Sequence, residues 1–178
     1  MNVTKTPNVL WRQARNDDFD AAYTILRSAA RRMVQQGRHQ WDDSYPQKED
    51  VQNDISLAQA YVLESDEKVV AYGVVSFDGE AAYNALCDGE WLTHGNYAVV
   101  HRMAVDIDER RSGLGTCFFE KVVEMCKERN VSSIKVDTNY DNVEMLALLL
   151  RLDFLLCGKV YYDRAGERIE RLAFEKVL

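Results

Sequence analysis

Apolar positions along this chain change their spacing several times, and each change marks an element. Residues 9–14 read as a short strand. Asn16 or Asp17 can then cap a helix, in which apolar residues recur at Phe19, Ala22, Leu26, Ala29, Ala30 and Met33, and Gly37 can end it. Residues 37–46 read as a loop carrying Trp41 and Tyr45, followed by a short helix over 48–57. Two strand-like runs, 60–64 and 68–77, flank Ser65-Asp66-Glu67 and predict a hairpin. Residues 78–95 follow neither period. They hold three glycines, Tyr83 and Trp91, and predict an irregular excursion over a sheet.

The second half is more regular. Residues 97–105 predict a strong strand. Over 113–129, Leu114, Cys117, Phe118, Val122, Met125 and Cys126 fall on one helical face. Residues 133–137 predict a strand. Asp141 can cap a leucine-rich helix reaching about Leu152, and 155–162 with 168–177 predict a closing hairpin around Asp163-Arg-Ala-Gly166. With no repeat, linker or shift of composition, this order predicts one α/β domain over residues 1–178 on a mixed sheet.

Composition narrows the class. A hydrophobic content of 47% with 29% charged residues suits a soluble globular protein, and no run nears the roughly 18 apolar residues of a membrane span. The N-terminus has no run of signal-peptide length, so a cytoplasmic location with no membrane partner is expected. A net charge of −7 argues against nucleic-acid binding, which needs a basic patch, and weakly favours a cationic substrate. None of the four cysteines forms a CxxC pair or stands at zinc-ligand spacing to a histidine. No metal site is expected, and Cys117 and Cys126 read as core residues.

The chemistry concentrates between residues 100 and 115. A strand ending near Val105 leads through a polar turn, Arg110-Arg111-Ser112-Gly113-Leu114-Gly115, directly into a helix. Two glycines let a ligand approach the backbone. First-turn N–H groups lack intrahelical partners and favour an anion, and the arginines can add charge-assisted contacts to phosphate. The turn is not a P-loop, since no lysine follows Gly115, and not a dinucleotide fingerprint, since no third glycine follows. Alone, it is equally compatible with an ordinary glycine-rich helix entry.

Arg-x-x-Gly-x-Gly after a strand ending in Ala-Val resembles the pyrophosphate-binding motif of the GNAT N-acetyltransferases, whose consensus is Gln/Arg-x-x-Gly-x-Gly/Ala. Val136-Asp-Thr-Asn-Tyr-Asp-Asn142-Val-Glu-Met145, with Leu-Leu-Arg-Leu-Asp-Phe154 after it, resembles the family's next strand and helix. The resemblance spans nearly the whole chain. It implies a mixed, mostly antiparallel sheet of about six or seven strands flanked by helices, and an acetyl-CoA-dependent N-acetyltransferase acting by direct attack of an amine. Carried onto this sequence, it implies that the backbone of Met103, Ala104 and Val105 pairs with the pantetheine arm and offers an N–H to the oxyanion. Arg110, Arg111, Ser112, Gly113, Leu114, Gly115 and Thr116 then hold the pyrophosphate, and Asn142 touches the cofactor from the other side.

Two departures stand out. The family's usual tyrosine acid falls on Leu149, and the glycine before Phe154 is Asp153. Tyr140, Asp137 and His101 are the substitute candidates for proton transfer, His101 because imidazole titrates near neutrality. Strand alternation would place His101 on the same face as Met103 and Val105. Trp41, Tyr45 and Tyr97, with Tyr83 and Trp91, are candidates for an aromatic acceptor wall. The resemblance implies a small-molecule or peptide amine as acceptor, and exposed strands and aromatic loops are compatible with a homodimer. Loss of the tyrosine also motivates an alternative, an acyl-CoA-binding sensor or scaffold without efficient turnover. A nucleotide-binding domain is a weaker third reading.

Overall fold

The computed structural model describes residues 8–110 and 112–178. Seven strands and four helices alternate along the chain: β1 (Leu10–Gln13), α1 (Phe19–Gln35), α2 (Lys48–Ser56), β2 (Ala60–Ser65), β3 (Lys68–Ser76), β4 (Ala98–Val105), α3 (Leu114–Glu128), β5 (Ser133–Thr138), α4 (Val143–Arg151), β6 (Leu155–Arg164) and β7 (Glu167–Val177). The strands stand in the order β1-β2-β3-β4-β5-β7-β6. Pairing is antiparallel for β1–β2, β2–β3, β5–β7 and β6–β7 and parallel for β4–β5. The sheet is therefore mixed and mostly antiparallel, and it is flanked by helices, as expected.

The chain divides into two compact units. One is built from the chain up to Val75 with Arg102–Val122, and the other from Ser76–His101 with Val123–Leu178. In the first unit the apolar stripe of α1 buries Ala22, Ile25, Leu26 and Ala30 in a core with Trp41, Val51, Val62 and Tyr72. Entry into α1 is fixed by charge. Arg12 on β1 makes two bonds to Asp18, at 2.6 and 2.8 Å, and reaches Glu64 of β2. Asp18 also accepts from the Arg15 N–H at 2.7 Å, satisfying an otherwise orphaned donor. The Arg12 bond holds Asp18 below the usual carboxylate range in spite of partial burial.

In the second unit, β5, β7 and β6 form a continuous antiparallel ladder. The closing hairpin is longer than its apolar pattern suggests. It runs to Arg164 and resumes at Glu167, because Ala165 (φ 51°) and Gly166 (φ 82°) make a two-residue turn with both φ values positive. Residues 78–97 do form an excursion. It begins with a 3-10 turn, Ala81–Ala85, and is tied down at Cys87, which exchanges two 2.8 Å backbone bonds with Lys159 of β6. Glycines permit that approach. A Cβ at Gly89 would lie 1.9 Å from the Cys157 carbonyl oxygen, and one at Gly158 would lie 2.5 Å from that of Cys87.

Two sequence expectations change. Strand alternation does not carry from His101 to Met103, because Arg102 has a left-handed φ of 48° in the middle of β4 and interrupts the extended pleat. The cap of α4 is Asn142 rather than Asp141, its Oδ1 accepting from the Met145 N–H at 3.4 Å. Cys117 and Cys126 are buried, as expected, and burial pushes the Cys126 thiol up to about 11.

Candidate active site

The central feature is where strand pairing stops. β4 and β5 are paired at Ala98↔Ile134 and Val99↔Lys135, and among the described residues the ladder goes no further, although β4 continues to Val105. Beyond Val99 the backbone of β4 on that side is left without a strand partner. Extended backbone of this kind can accept another extended chain by strand addition.

Within the first unit, Met103 and Ala104 are buried and Val105 is half-buried. The strand exit is pinned. The Asp106 N–H donates to the Val70 carbonyl at 2.9 Å, and the Asp106 carboxylate pairs with Lys68 at 2.9 Å and accepts from the Asp108 N–H at 3.0 Å. Burial works against that charge, but Lys68 and the N–H hold it below the usual range. The turn that follows is exposed at Arg110, Ser112 and Gly113, and the Ser112 hydroxyl donates back to the Glu109 carbonyl. Arg111 lies outside the described residues. Gly113 has a φ of 84°, and a Cβ there would meet nothing within 4 Å. Leu114 is buried and begins α3, Gly115 and Thr116 are half-buried, and the Cys117 N–H donates to the Gly113 carbonyl at 3.0 Å. Open space before a helix N-terminus, with an exposed arginine beside it, fits a diphosphate.

Arg102 explains how β4 keeps its interruption without a glycine. Its guanidinium grips the buried Asp54 of α2 twice, Nε at 2.8 Å and Nη2 at 2.5 Å, and Nη1 donates to the Tyr45 hydroxyl at 2.8 Å. The Tyr72 hydroxyl donates to the same carboxylate at 2.8 Å. Burial disfavours the guanidinium charge, but Asp54 more than offsets it. Tyr45 is thus fastened to the strand, while Trp41, 5% exposed, is a member of the core.

In the second unit, side chains from β4, β5, β6 and β7 share one sheet face under the excursion. Cross-strand partners point the same way, so Val99, Lys135 and Glu175 lie together, as do Asp137 and Ala173. Asp137 Oδ1 accepts two hydroxyl bonds, from Tyr83 of the excursion and Tyr162 of β6, each at 2.8 Å. Its Oδ2 takes no hydrogen bond among the described residues. Burial beside Asp137 pushes both tyrosine hydroxyls far above their ordinary range. Both are locked donors, poorly suited to giving up a proton. His101 Nε2 lies 3.3 Å from Glu80 Oε2, and that contact holds Glu80 below the usual carboxylate range against its burial. Tyr97 accepts from the Glu80 N–H at 3.4 Å, and its ring lies 4.2 Å from the Lys135 ammonium.

Of the candidates for proton transfer, Asp137 and His101 fall on this face, while Tyr140 is 67% exposed. Leu149, at the position of the expected tyrosine, is fully buried. The sequence reading missed Glu80 and Tyr162. Glu80 lies in the aperiodic excursion, where no spacing rule applies. Tyr162 had a signal, since it shares a period-2 face with Val160. Among the described residues, no group of three or more His, Cys, Asp or Glu side chains could hold a metal ion, and no helix is long and apolar enough to cross a membrane.

A mixed seven-stranded sheet whose central parallel ladder stops short, with a glycine turn feeding a helix from the unpaired strand, defines the acyltransferase class of fold. The chain belongs to the GNAT acetyltransferase family: the family model described as "Acetyltransferase (GNAT) family" matches residues 19–154. Protein YxbD of Bacillus subtilis (strain 168) is 28% identical over 113 residues, a match that covers 61% of this chain and 63% of that protein's own length. A GNAT-family acetyltransferase of Streptococcus agalactiae 2603 has a similar structure, with a TM-score of 0.86, 28% identity and 98% of both chains covered. A ribosomal-protein-alanine N-acetyltransferase of Brucella melitensis shares the fold, with a TM-score of 0.67, 18% identity, and 95% and 99% of the two chains covered.

Proposed function

We propose that this protein transfers the acetyl group of acetyl-CoA to an amine of a small molecule or peptide, by direct attack within a single acyltransferase domain. The observation that carries the reading is the strand–turn–helix from Met103 to Thr116. Among the described residues the β4–β5 pairing is confined to Ala98 and Val99, and Gly113 opens onto empty space at the start of α3. Acetyl-CoA supplies an acyl group activated as a thioester.

The backbone of Met103–Val105 pairs with the pantetheine arm, and an N–H there stabilises charge on the carbonyl oxygen. Arg110 and the backbone of Ser112–Thr116 hold the diphosphate, while Asn142 combines its capping role with a cofactor contact. The acceptor amine must be neutral to attack. His101 takes its proton, and Asp137 orients it through Oδ2, with Tyr97 as an aromatic neighbour. With Leu149 at the usual tyrosine position, the thiolate departs without a dedicated acid. A thiol with a pKa of about 8.5 makes this feasible near neutral pH.

Gly113→Asp tests the cradle. A carboxylate in the phosphate position should weaken CoA binding by at least 100-fold in calorimetry, while the melting temperature falls by only a few degrees, since aspartate tolerates positive φ better than most residues. Unchanged affinity rules the cradle out. Thiol release from acetyl-CoA across a panel of amines tests turnover. Tight CoA binding with no acceptor-dependent release would favour the sensor or scaffold reading instead.

A further inference from the structure

We infer that Glu80 is the positioning residue for His101: it fixes the imidazole with Nε2 protonated and so makes Nδ1 the atom that takes the acceptor's proton. The inference rests on the acetyltransferase reading above and adds to it a residue and a tautomer. Three observations converge on it.

First, Glu80 Oε2 faces Nε2 at 3.3 Å, and a carboxylate can only accept, so Nε2 must carry the proton. Second, Glu80 is itself held in place. Its Oε1 accepts from the Ala82 N–H at 3.2 Å at the start of the 3-10 turn, and its own N–H donates to the Tyr97 hydroxyl at 3.4 Å. The excursion carrying it is tied to β6 through Cys87 and Lys159. Third, Nδ1 has no hydrogen-bond partner among the described residues. The other charged groups around this face are engaged elsewhere. Asp137 is bound through Oδ1 alone by Tyr83 and Tyr162, and neither reaches His101; Lys135 donates to the Thr93 carbonyl, and Arg171 donates to the Glu170 carbonyl. Arg102, next along β4, is bound by Asp54 and Tyr45.

The proton balance is simple. As the acceptor nitrogen bonds to the acetyl carbon, its proton passes to Nδ1. The carbon–sulfur bond breaks and the thiolate leaves. The imidazolium, neutralised by Glu80 through Nε2–H, then returns its extra proton to water or to the thiolate. Glu80 never touches the reacting atoms, and it keeps the proton that stays on Nε2 from competing with the one that moves.

Two measurements test this. In nitrogen-15 spectra of the free protein above pH 8, wild type should show a hydrogen-bonded Nε2 proton on His101 that disappears in Glu80→Ala. The absence of that proton in wild type overturns the pairing, whether or not any acceptor is ever turned over. In kinetics, Glu80→Ala should lower kcat about 10- to 100-fold with acceptor KM changed less than about threefold, and Glu80→Gln, which keeps an accepting oxygen, should recover part of the loss. Adding Glu80→Ala to His101→Ala should cost nothing further. Additive losses in the double variant, or a loss confined to KM, would overturn the proposal.

Discussion

Glu175 and Asp137 lie on one face of one sheet, and their surroundings treat them oppositely. Glu175 is fully buried, and both of its oxygens are occupied. Oε1 accepts from the Ser133 hydroxyl at 2.6 Å and the Thr93 hydroxyl at 2.5 Å, and Oε2 accepts from the Leu92 and Thr93 N–H groups at 2.6 and 3.3 Å. Its cross-strand neighbour Lys135 is also buried, between the rings of Trp91 and Tyr97 at 4.4 and 4.2 Å. Burial lowers the Lys135 ammonium pKa, and the charge of Glu175 opposes that. Asp137, two residues along β5 from Lys135, has one oxygen held by two tyrosines and the other without a hydrogen-bond partner among the described residues. A closed network spends all of its hydrogen-bonding capacity on the fold. An open one keeps an acceptor in reserve, which a ligand can use.

The sharpest way to break this contrast is to remove each carboxylate in turn. Glu175→Ala strands two hydroxyls and two N–H groups and leaves Lys135 without its nearby charge, so it should destabilise the protein by about 3–5 kcal/mol in denaturant titrations. Asp137→Asn keeps an oxygen for the tyrosines and loses only charge. Its stability should stay within about 1 kcal/mol, while kcat/KM for a cationic amine falls about 10- to 30-fold, mostly through KM. If Asp137→Asn unfolds the protein as readily as Glu175→Ala, both networks are structural and the contrast collapses.

The smallest effect belongs to pH. Glu80 titrates below its ordinary value near 4.5, chiefly through its bond to His101. A depressed carboxyl contributes stability that is complete above the ordinary value and is lost as pH falls through the folded one. The melting-temperature difference between wild type and Glu80→Gln should therefore be about 1–3 °C at pH 6 and shrink as the pH falls below the ordinary carboxyl value. A difference that grows on acidification would mean that Glu80 has another partner.

Much of this was legible in the amino-acid order, for identifiable reasons. The period of Leu114, Cys117, Phe118 and Val122 found α3, and the two-residue spacing found most strands. Glycine marked the turn before α3, because Gly113 takes a positive φ there that few other residues tolerate. Arg102 was illegible. Its left-handed φ is upheld not by its own chemistry but by Asp54, a partner 48 residues away. Glu80 was hidden for the same reason, since its role depends on a contact that no local spacing encodes. Glu175 was nearer to legible, as the acidic member of a period-2 face with Arg171 and Ala173, where an unexplained inward charge announces a buried network.

The fastening of Cys87 to Lys159 carries a kinetic consequence. A segment stitched to an edge strand by paired backbone bonds, with glycines on both sides allowing the close approach, is built as a wall rather than a door. In the proposed reaction, residues 78–97 should therefore keep one shape before and after an acceptor arrives, with no slow closure of this segment before chemistry. Selection among acceptors in the proposed reaction would then fall to the rate at which each one leaves the site.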